Sequence, residues 1–263
     1  MNDIGDKPPK VSVVFITYNR PDFLVDSIKA IRNNCKYPNL ELIVSDDGTK
    51  PSIKKFLHDL AIDKLVTSET NQGLGANSNK GIKAATGEYI LHLQDDFECV
   101  STEPFIEKSI QIIKNHSDVG LVRLHHSTRF PNKIDYKLPD GTPYSILGFD
   151  QPKDMKNNIY IYSDHPHLKK SNFHDKSGYF TEGLKVGETE DDFCKRFNSN
   201  RKYKVATLWR TNLFKNNGLI KSTRKPTKRE ISRNYLSQSS IGLKILKLYS
   251  NLPVKFRSTL RKF

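Results

Sequence analysis

Apolar runs suited to buried strands alternate with segments of helical periodicity along the first hundred residues. Pro21 and Asp22 are helix-start residues, and Leu24, Ile28 and Ile31 follow at helical spacing. The predicted strands are Val11–Thr17, Leu40–Ser45, a short strand near Leu65–Thr67 and the run that ends before Asp95. A second helix is predicted from Ser52 to about Leu60, and the segment that starts at Asn71 leads into a third helix, which continues through Ala85. Four alternations of strand and helix predict an α/β fold with a mainly parallel sheet flanked by helices.

Three of these strands end in polar residues suited to ligand contact. Thr17 ends the first strand, Asp46 and Asp47 follow the second, and Asp95 and Asp96 follow the fourth. Ligands of open α/β sheets bind just beyond the carboxyl ends of the strands. Two adjacent carboxylates repel each other unless a cation or a donor neutralises them, and Mg²⁺ takes few protein ligands and completes its shell with phosphate and water. The pattern favours a divalent metal that holds substrate phosphates over a solvated Asp-Asp turn.

Two other nucleotide-binding patterns are weak in this sequence. The segment Gly73-Leu74-Gly75 lacks the later glycine of a dinucleotide fingerprint and has no Gly-Lys-Ser/Thr ending. A nucleotidyltransferase that makes sugar nucleotides needs a glycine- and arginine-rich loop directly after the first strand. Here that strand is followed by Tyr18-Asn19-Arg20, without glycine, so both classes are disfavoured.

Composition indicates one enzyme domain with an appendage. The chain has 263 residues, enough to bury a sizeable core. Its three cysteines, Cys35, Cys99 and Cys194, are scattered and lack metal-ligand spacing, as in a reducing compartment. The sequence has no apolar leader-like run and no stretch as long as a membrane span. We therefore expect a cytoplasmic protein.

The net charge of +14 resides in the C-terminal part. Residues 193–263 contain 19 Lys and Arg and one acid, Glu230, whereas residues 1–192 contain 24 basic and 28 acidic residues. From Ile241, apolar residues fall near one helical face, which favours peripheral attachment to an anionic membrane surface. The alternative is a helix packed on the enzyme or on an oligomer partner. Nucleic acid is not an expected partner, because no recognised module accompanies the charge and Trp209 is the only tryptophan.

Five motifs follow one another along the chain. They are VSVVFITYNR at 11–20, VSDDGT at 44–49, NQGLGA at 71–76, QDD at 94–96, and GYFTE at 178–182 with ETEDDFCKR at 188–196. In this order and spacing they resemble the motifs of family 2 glycosyltransferases of the GT-A fold, over roughly residues 10–200. The resemblance implies transfer of a sugar from a nucleotide-sugar donor, with inversion and with Mg²⁺ or Mn²⁺ as cofactor.

The resemblance, together with the uneven charge distribution, implies a domain organisation. Residues 1–9 are an N-terminal tail, and residues 10–220 are a GT-A glycosyltransferase domain with a Rossmann-like sheet. Within it, residues 10–100 bind the nucleotide-sugar and residues 101–220 bind the acceptor. Residues 221–263 are a basic C-terminal helical extension.

The resemblance also places a donor site along the strand ends. A carboxylate accepts a hydrogen bond from a ring N–H, so Asp46 is chemically apt to hold a base. Arginine or lysine in the basic segment near Arg224 would stabilise the leaving diphosphate. The residues implied for nucleotide-sugar binding are Thr17, Tyr18, Arg20, Asp46, Asn71, Gly73, Gln94, Asp95 and Arg224.

Asp96 matches the carboxylate that binds metal directly in this family. The chain departs from the family pattern nearby, because Gln94 takes the place of the first acidic residue of the motif. Ser78 stands where the family often has arginine, a position whose charge Lys80 could supply, and no histidine follows His174 as a further metal ligand. We therefore expect a loosely held metal.

The catalytic base is expected in the fifth motif. If Phe193 and Cys194 align with the family's apolar-Cys pair, Glu190 takes the position of the base and Asp191 lies one step away. A base must lie within hydrogen-bond reach of the acceptor hydroxyl, so the two positions are not equivalent. The alternative is that acids in a first helical turn only complement the helix dipole.

The acceptor side is the least readable part of the sequence. His125 and the His165-Pro166-His167 segment are either metal ligands or ordinary loop histidines. The expected function is transfer from a nucleotide-diphosphate sugar, a UDP-sugar first of all, to a hydroxyl of a glycan or lipid-linked glycan at the cytoplasmic side of a membrane. The alternative is a catalytically degenerate GT-A-like module that binds a glycan or a partner.

Overall fold

The computed structural model describes residues 7–125, 130, 132–149, 161–208 and 212–218. The chain divides after Asn217 into two units, and all described residues except Gly218 belong to the first. The strands are β1 Val11–Thr17, β2 Leu40–Asp46, β3 Lys64–Thr67, β4 Tyr89–Gln94, β5 Phe97–Cys99, β6 Val119–Arg123, β7 Lys133–Lys137, β8 Pro143–Leu147, β9 His167–Lys170, β10 Lys204–Leu208 and β11 Phe214–Asn216. The helices are α1 Pro21–Asn34, α2 Pro51–His58, α3 Leu74–Ala84, α4 Phe105–Asn115, α5 Phe173–Ser177 and α6 Val186–Asn200.

Nine of these strands form one sheet in the order β3-β2-β1-β4-β9-β6-β10-β8-β7. Strands β3, β2, β1 and β4 are parallel to one another. β9 runs antiparallel to both of its neighbours, β4 and β6, while β10 is again parallel to β6. β5 pairs with β11 in a separate two-stranded antiparallel sheet. The predicted mainly parallel α/β sheet is therefore confirmed.

Helices cover both faces of the sheet, as the continuous apolar strands require. Every residue of β1 is buried. Val13 and Phe15 pack in a core that includes the residues of α1 at helical spacing and the buried face of α4. Val14 and Ile16 point to the opposite face, into a core shared with α3, α5 and α6. The alternation of side chains along a strand produces these two layers.

The predicted element boundaries are correct to within a few residues. α2 begins at Pro51 and ends at His58, before the expected Leu60. α3 begins at Leu74, because Gly73 has a φ of 89° that an α-helix does not accommodate. Residues 71–73 therefore lead into the helix and are not part of it.

The sequence-based expectations about membrane spans and cysteines can be compared with the described residues. No helix among the described residues is long and apolar enough to cross a membrane. Cys35, Cys99 and Cys194 are buried free thiols. The basic segment 221–263, with Arg224, lies outside the described residues, so its predicted helix and its predicted roles stay predictions.

Candidate active site

The carboxyl ends of β1, β2 and β4 meet at one edge of the sheet. Thr17 lies opposite Asp46 in the β1–β2 register, and Ile16 lies opposite Gln94 in the β1–β4 register. The backbone N–H of Asp95 donates to the Ile16 carbonyl at 3.1 Å. The parallel register thus brings together the three polar strand ends that the sequence pattern singled out.

The Asp95-Asp96 turn forms the acidic centre of this edge. The Thr17 hydroxyl donates to Asp95 Oδ2 at 2.8 Å. The Arg20 guanidinium pairs with Asp95 Oδ1 at 2.9 Å and with Asp96 Oδ2 at 3.3 Å. Burial raises the pKa of Asp95 to about 7, while the Arg20 charge and the Thr17 hydroxyl act in the opposite direction. A cation therefore already compensates this pair of carboxylates.

The Asp95-Asp96 turn fits a divalent metal, and one observation supports this. Asp96 Oδ1 is buried and has no hydrogen-bond partner among the described residues. A buried carboxylate oxygen normally has a partner, so this one has an unsatisfied lone pair. Over the same residues, no group of three or more His, Cys, Asp or Glu side chains could hold a metal. The acidic turn is thus an incomplete set of hard oxygen ligands, of the kind that phosphate and water complete around Mg²⁺.

The predicted nucleoside-binding residues differ in burial and in how many hydrogen bonds they already make within the protein. Asp46 is fully buried, and its carboxylate accepts from the Thr49 backbone N–H at 3.0 Å and from the Thr49 hydroxyl. Tyr18 is 40% exposed and so has a free ring surface for stacking. Lys80 donates to the Asp46 carbonyl at 2.5 Å and to Ser68 Oγ at 2.7 Å, which commits its charge to the neighbourhood of β2.

Residues 71–73 form a loop, called here the wall segment because the family resemblance implies that Asn71 and Gly73 shape the wall of the donor site. Asp47 holds this loop in place. Asp47 accepts from the Gln72 N–H at 2.8 Å and from the Gly73 N–H at 2.9 Å. Asn71 is exposed, Gly73 is half-buried, and Ser78 is buried in α3. Asp47 therefore sets the position of this loop, and Asn71 and Gly73 stay candidate wall residues.

Gly48 lies where this wall loop approaches the end of β2. Its φ is +73°, and a Cβ there would lie 2.5 Å from the Thr70 carbonyl carbon. We expect Gly48→Ala to lower the free energy of unfolding by about 2–4 kcal/mol, because left-handed strain and a backbone clash add together. Gly141→Ala is the matched control, since Gly141 has a φ of +82° but nothing within 4 Å. Urea unfolding of both variants measures the difference, and equal losses would show that the Thr70 contact is unimportant.

Glu190 lies in the second turn of α6, which begins at Val186. The helix-capping acid is instead Glu188, whose side chain accepts from the Lys185 N–H at 3.3 Å. The alternative that the acids serve only the helix start therefore applies to Glu188. Glu190 Oε1 accepts from the Asp164 backbone N–H at 3.1 Å, and Asp191 is half-buried next to it. Both candidate bases stay predictions.

Two buried ionisable residues beside Glu190 were missed by the sequence analysis. Burial raises the pKa of Asp164 to about 7, and the charge of Glu190 adds to that rise. Burial lowers the pKa of Arg123 to about 10, while the charge of Glu190 acts in the opposite direction. Arg123 had one sequence signal, a charge at the end of the apolar run of β6. Asp164 had none, because it lies in a stretch without periodicity.

The histidines of the acceptor half separate into two environments. His125 Nδ1 and His165 Nδ1 lie 3.1 Å apart, and both rings contact Phe97. Burial lowers the pKa of His165 to about 4 and also lowers the pKa of His125, which favours the neutral form of both rings. His167 is fully buried and stacks on His92 instead, with ring centroids 4.9 Å apart. His165 and His167 therefore do not form the metal-binding pair that was one alternative.

Comparison with known proteins identifies relatives of this chain. The family described as glycosyl transferase family 2 matches residues 12–181. The chain is 36% identical over 98 residues to the GalNAc(5)-diNAcBac-PP-undecaprenol beta-1,3-glucosyltransferase of Campylobacter jejuni, covering 35% of this chain and 31% of that protein. It is 30% identical over 158 residues to an uncharacterized glycosyltransferase of Haemophilus influenzae, covering 53% of this chain and 60% of that protein.

Among solved structures, residues 1–349 of S. aureus TarS in complex with UDP-GlcNAc are similar to this chain. The TM-score is 0.59 at 17% identity, covering 87% of this chain and 64% of that chain. This likeness concerns the fold, which is of the GT-A type. All of these matches span less than two-thirds of the relatives' own lengths. The family match, in contrast, spans more than half of this chain and includes the strand ends described above. The chain therefore belongs to glycosyl transferase family 2.

Proposed function

We propose that this protein transfers a sugar from a UDP-sugar to a hydroxyl of a glycan or lipid-linked glycan, with inversion at the anomeric carbon. One observation carries the proposal. The acidic turn and the candidate base are connected through the fold, because Phe97, next to Asp96, contacts the ring of His165, and the backbone N–H of Asp164 binds Glu190. This series of contacts supports the proposal that the donor-side and acceptor-side groups belong to one site.

In this proposal, different residues of the chain bind the donor, deprotonate the acceptor and stabilise the leaving group during direct displacement at the anomeric carbon. Tyr18, Asp46 and the wall at Asn71 and Gly73 hold the nucleoside, with Thr17 orienting Asp95. Glu190 accepts the proton of the acceptor hydroxyl, whose oxygen forms a bond to the anomeric carbon while the bond to the diphosphate breaks. Asp191 is the second candidate for this base. Gln94 contacts the ribose, and Arg224 stabilises the leaving diphosphate.

Asp96, assisted by Asp95, would hold Mg²⁺ or Mn²⁺. When bound, such an ion supplies positive charge that stabilises the leaving diphosphate. The UDP class of donor is supported by the TarS structures, which are complexes with UDP-GlcNAc and with UDP. A lipid-linked acceptor is supported by the name of the Campylobacter jejuni relative, which contains PP-undecaprenol. We further propose a cytoplasmic location with peripheral attachment to an anionic membrane surface through the basic segment 221–263.

Calorimetric titration with UDP, GDP, CDP and dTDP, with and without Mn²⁺, tests the donor assignment. We expect UDP to bind most tightly and with a metal-dependent component. Asp96→Ala should weaken that component at least about 100-fold, because loss of even an outer-shell partner costs 10–100-fold in metal affinity. Glu98→Ala, two residues further along in β5, is the matched control and should bind UDP like the wild type. No binding of any of the four nucleotides would overturn the proposed function and favour a degenerate binding module.

A further inference from the structure

Arg20 lies across the acidic turn in a nearly solvent-free contact. The side chains of Arg20, Asp95 and Asp96 are 16%, 3% and 13% exposed. An ion pair with this little exposure is weakly screened, unlike a surface pair. Arg20 therefore neutralises much of the charge that would otherwise attract a metal.

The backbone directs Arg20 to this place. Asn19, the preceding residue, has a φ of 55° in the left-handed region. It is held there by its N–H, which donates to Thr49 Oγ1 at 2.9 Å, and by its side-chain oxygen, which accepts from the Lys50 N–H at 2.9 Å. The Arg20 guanidinium also lies 4.4 Å from the centre of the Phe23 ring. The contact is thus built into the turn that follows β1.

The contact leaves polar atoms unsatisfied on both sides. Asp96 Oδ1 and Arg20 Nε are buried and have no hydrogen-bond partner among the described residues. An acceptor without a donor suits a second cation, and a guanidinium N–H without an acceptor suits an anion. The ion pair therefore leaves one acceptor and one donor that ligands of opposite charge could satisfy.

We propose that Arg20 is an internal counter-ion that a divalent metal must displace, and that the displaced guanidinium then binds the diphosphate of the nucleotide. Arg20 pairs with Asp95 Oδ1 and Asp96 Oδ2, so a divalent cation held by the same two carboxylates would lie close to the guanidinium and repel it. A guanidinium released from carboxylates finds matching geometry on phosphate oxygens. This inference rests on the proposed function for the identity of the anion. It predicts weak metal binding to the free protein and strong coupling between metal and nucleotide.

Electron paramagnetic resonance of Mn²⁺ binding to the full chain tests this proposal without an activity assay. At about pH 8 and without nucleotide, we expect Arg20→Gln to bind Mn²⁺ at least about tenfold more tightly than the wild type, because the competing charge is gone. UDP should raise the Mn²⁺ affinity of the wild type at least about fivefold more than that of the variant, since coupling between the two ligands is reciprocal. Arg32→Gln, at an exposed position of the helix α1 that follows Arg20, should match the wild type in both respects.

The alternative outcomes are distinct. Unchanged or weaker Mn²⁺ binding by Arg20→Gln, or no Mn²⁺ binding by any variant, overturns the proposal and makes Arg20 the permanent cation of the site. Arg20→Lys keeps the positive charge but does not contact both carboxylates as the guanidinium does. Its Mn²⁺ affinity should lie between those of the wild type and Arg20→Gln, so this variant tests the proposal if Arg20→Gln does not fold. Failure of UDP to bind the wild type would overturn the proposed function, while the comparison without nucleotide would still test the competition.

Discussion

Glu190→Gln is expected to lower the turnover number by about 10²- to 10⁴-fold while leaving UDP affinity close to that of the wild type. Gln has the shape of Glu but does not accept a proton, and general-base catalysis contributes a factor of this size. The Asp164 backbone N–H that binds Glu190 Oε1 at 3.1 Å can still donate to the amide oxygen, so the local fold should persist. Release of UDP with a lipid-linked glycan acceptor measures turnover, and calorimetry measures UDP affinity.

Glu188→Gln is the matched control for this substitution. Glu188 lies on the same helix, half a turn earlier, and its side chain caps the backbone at Lys185. Its replacement should cost about 1 kcal/mol of stability at most and leave turnover unchanged. Asp191→Asn separates the two candidate bases. Full turnover of Glu190→Gln together with a loss in Asp191→Asn would assign the base to Asp191. If neither variant changes UDP release or UDP affinity, the alternative of a catalytically degenerate binding module would be favoured.

Lys169→Met is expected to raise the free energy of unfolding at pH 7 by about 2–4 kcal/mol. Lys169 is fully buried in β9, and its Nζ lies 2.9 Å from His174 Nε2. Burial lowers the pKa of Lys169 to about 7 from its ordinary 10.5, while the charge of Asp164 acts in the opposite direction. A lowering of the pKa by this amount means that the buried amine destabilises the folded state by roughly 4 kcal/mol at pH 7. The net gain in Lys169→Met is smaller, because the variant also loses the stabilising contact between Lys169 and His174.

The sign of the pH dependence follows from the same depression. Between about pH 7 and pH 10.5 the unfolded chain holds the Lys169 proton and the folded chain releases it. The unfolded state thus binds more protons there, so stability rises with pH across this window and falls as the pH is lowered to about 7. In Lys169→Met this component is absent, and the gain over the wild type should shrink towards pH 10.5.

Guanidinium unfolding at pH 7, 8.5 and 10 measures both effects. Lys170→Met, on the next residue of the same strand, is the matched control. The Lys170 amine is partly exposed and donates to the Ser117 carbonyl at 2.9 Å, so its replacement should change stability by less than about 1 kcal/mol. A Lys169→Met variant that is less stable than the wild type at pH 7 would contradict the expectation and indicate that the buried amine is fully compensated by its neighbours.

Several parts of the candidate site could be predicted because they depend on local sequence. The acidic pair at 95–96 follows an apolar run, and polar residues that follow parallel strands share one edge of the sheet wherever the strands pair. The position of Glu190 was implied by the family resemblance, through its distance from Phe193 and Cys194 in the fifth motif. Both inferences need only local sequence.

The contacts inside the site were harder to predict, because they join residues far apart in the chain. Arg20 meets Asp96 across a separation of 76 residues, and Asp164 meets Glu190 across 26. From the family motif, Arg20 was expected at the nucleoside, and no local pattern connects it with the acidic turn. Asp164 was not considered, because nothing in its own neighbourhood indicates burial.

By itself, the sequence determined the α/β class, the order of the first strands and helices, and the family, because periodicity and short motifs are local properties that survive in any arrangement of the elements. Tertiary structure alone decided that β9 inserts antiparallel between β4 and β6, which buries Lys169 and places Asp164 beside Glu190. It also decided that Arg20 is the partner of the acidic turn. The reason is physical, since burial and pKa depend on what packs around a side chain, and that is set by the pairing and register of distant strands.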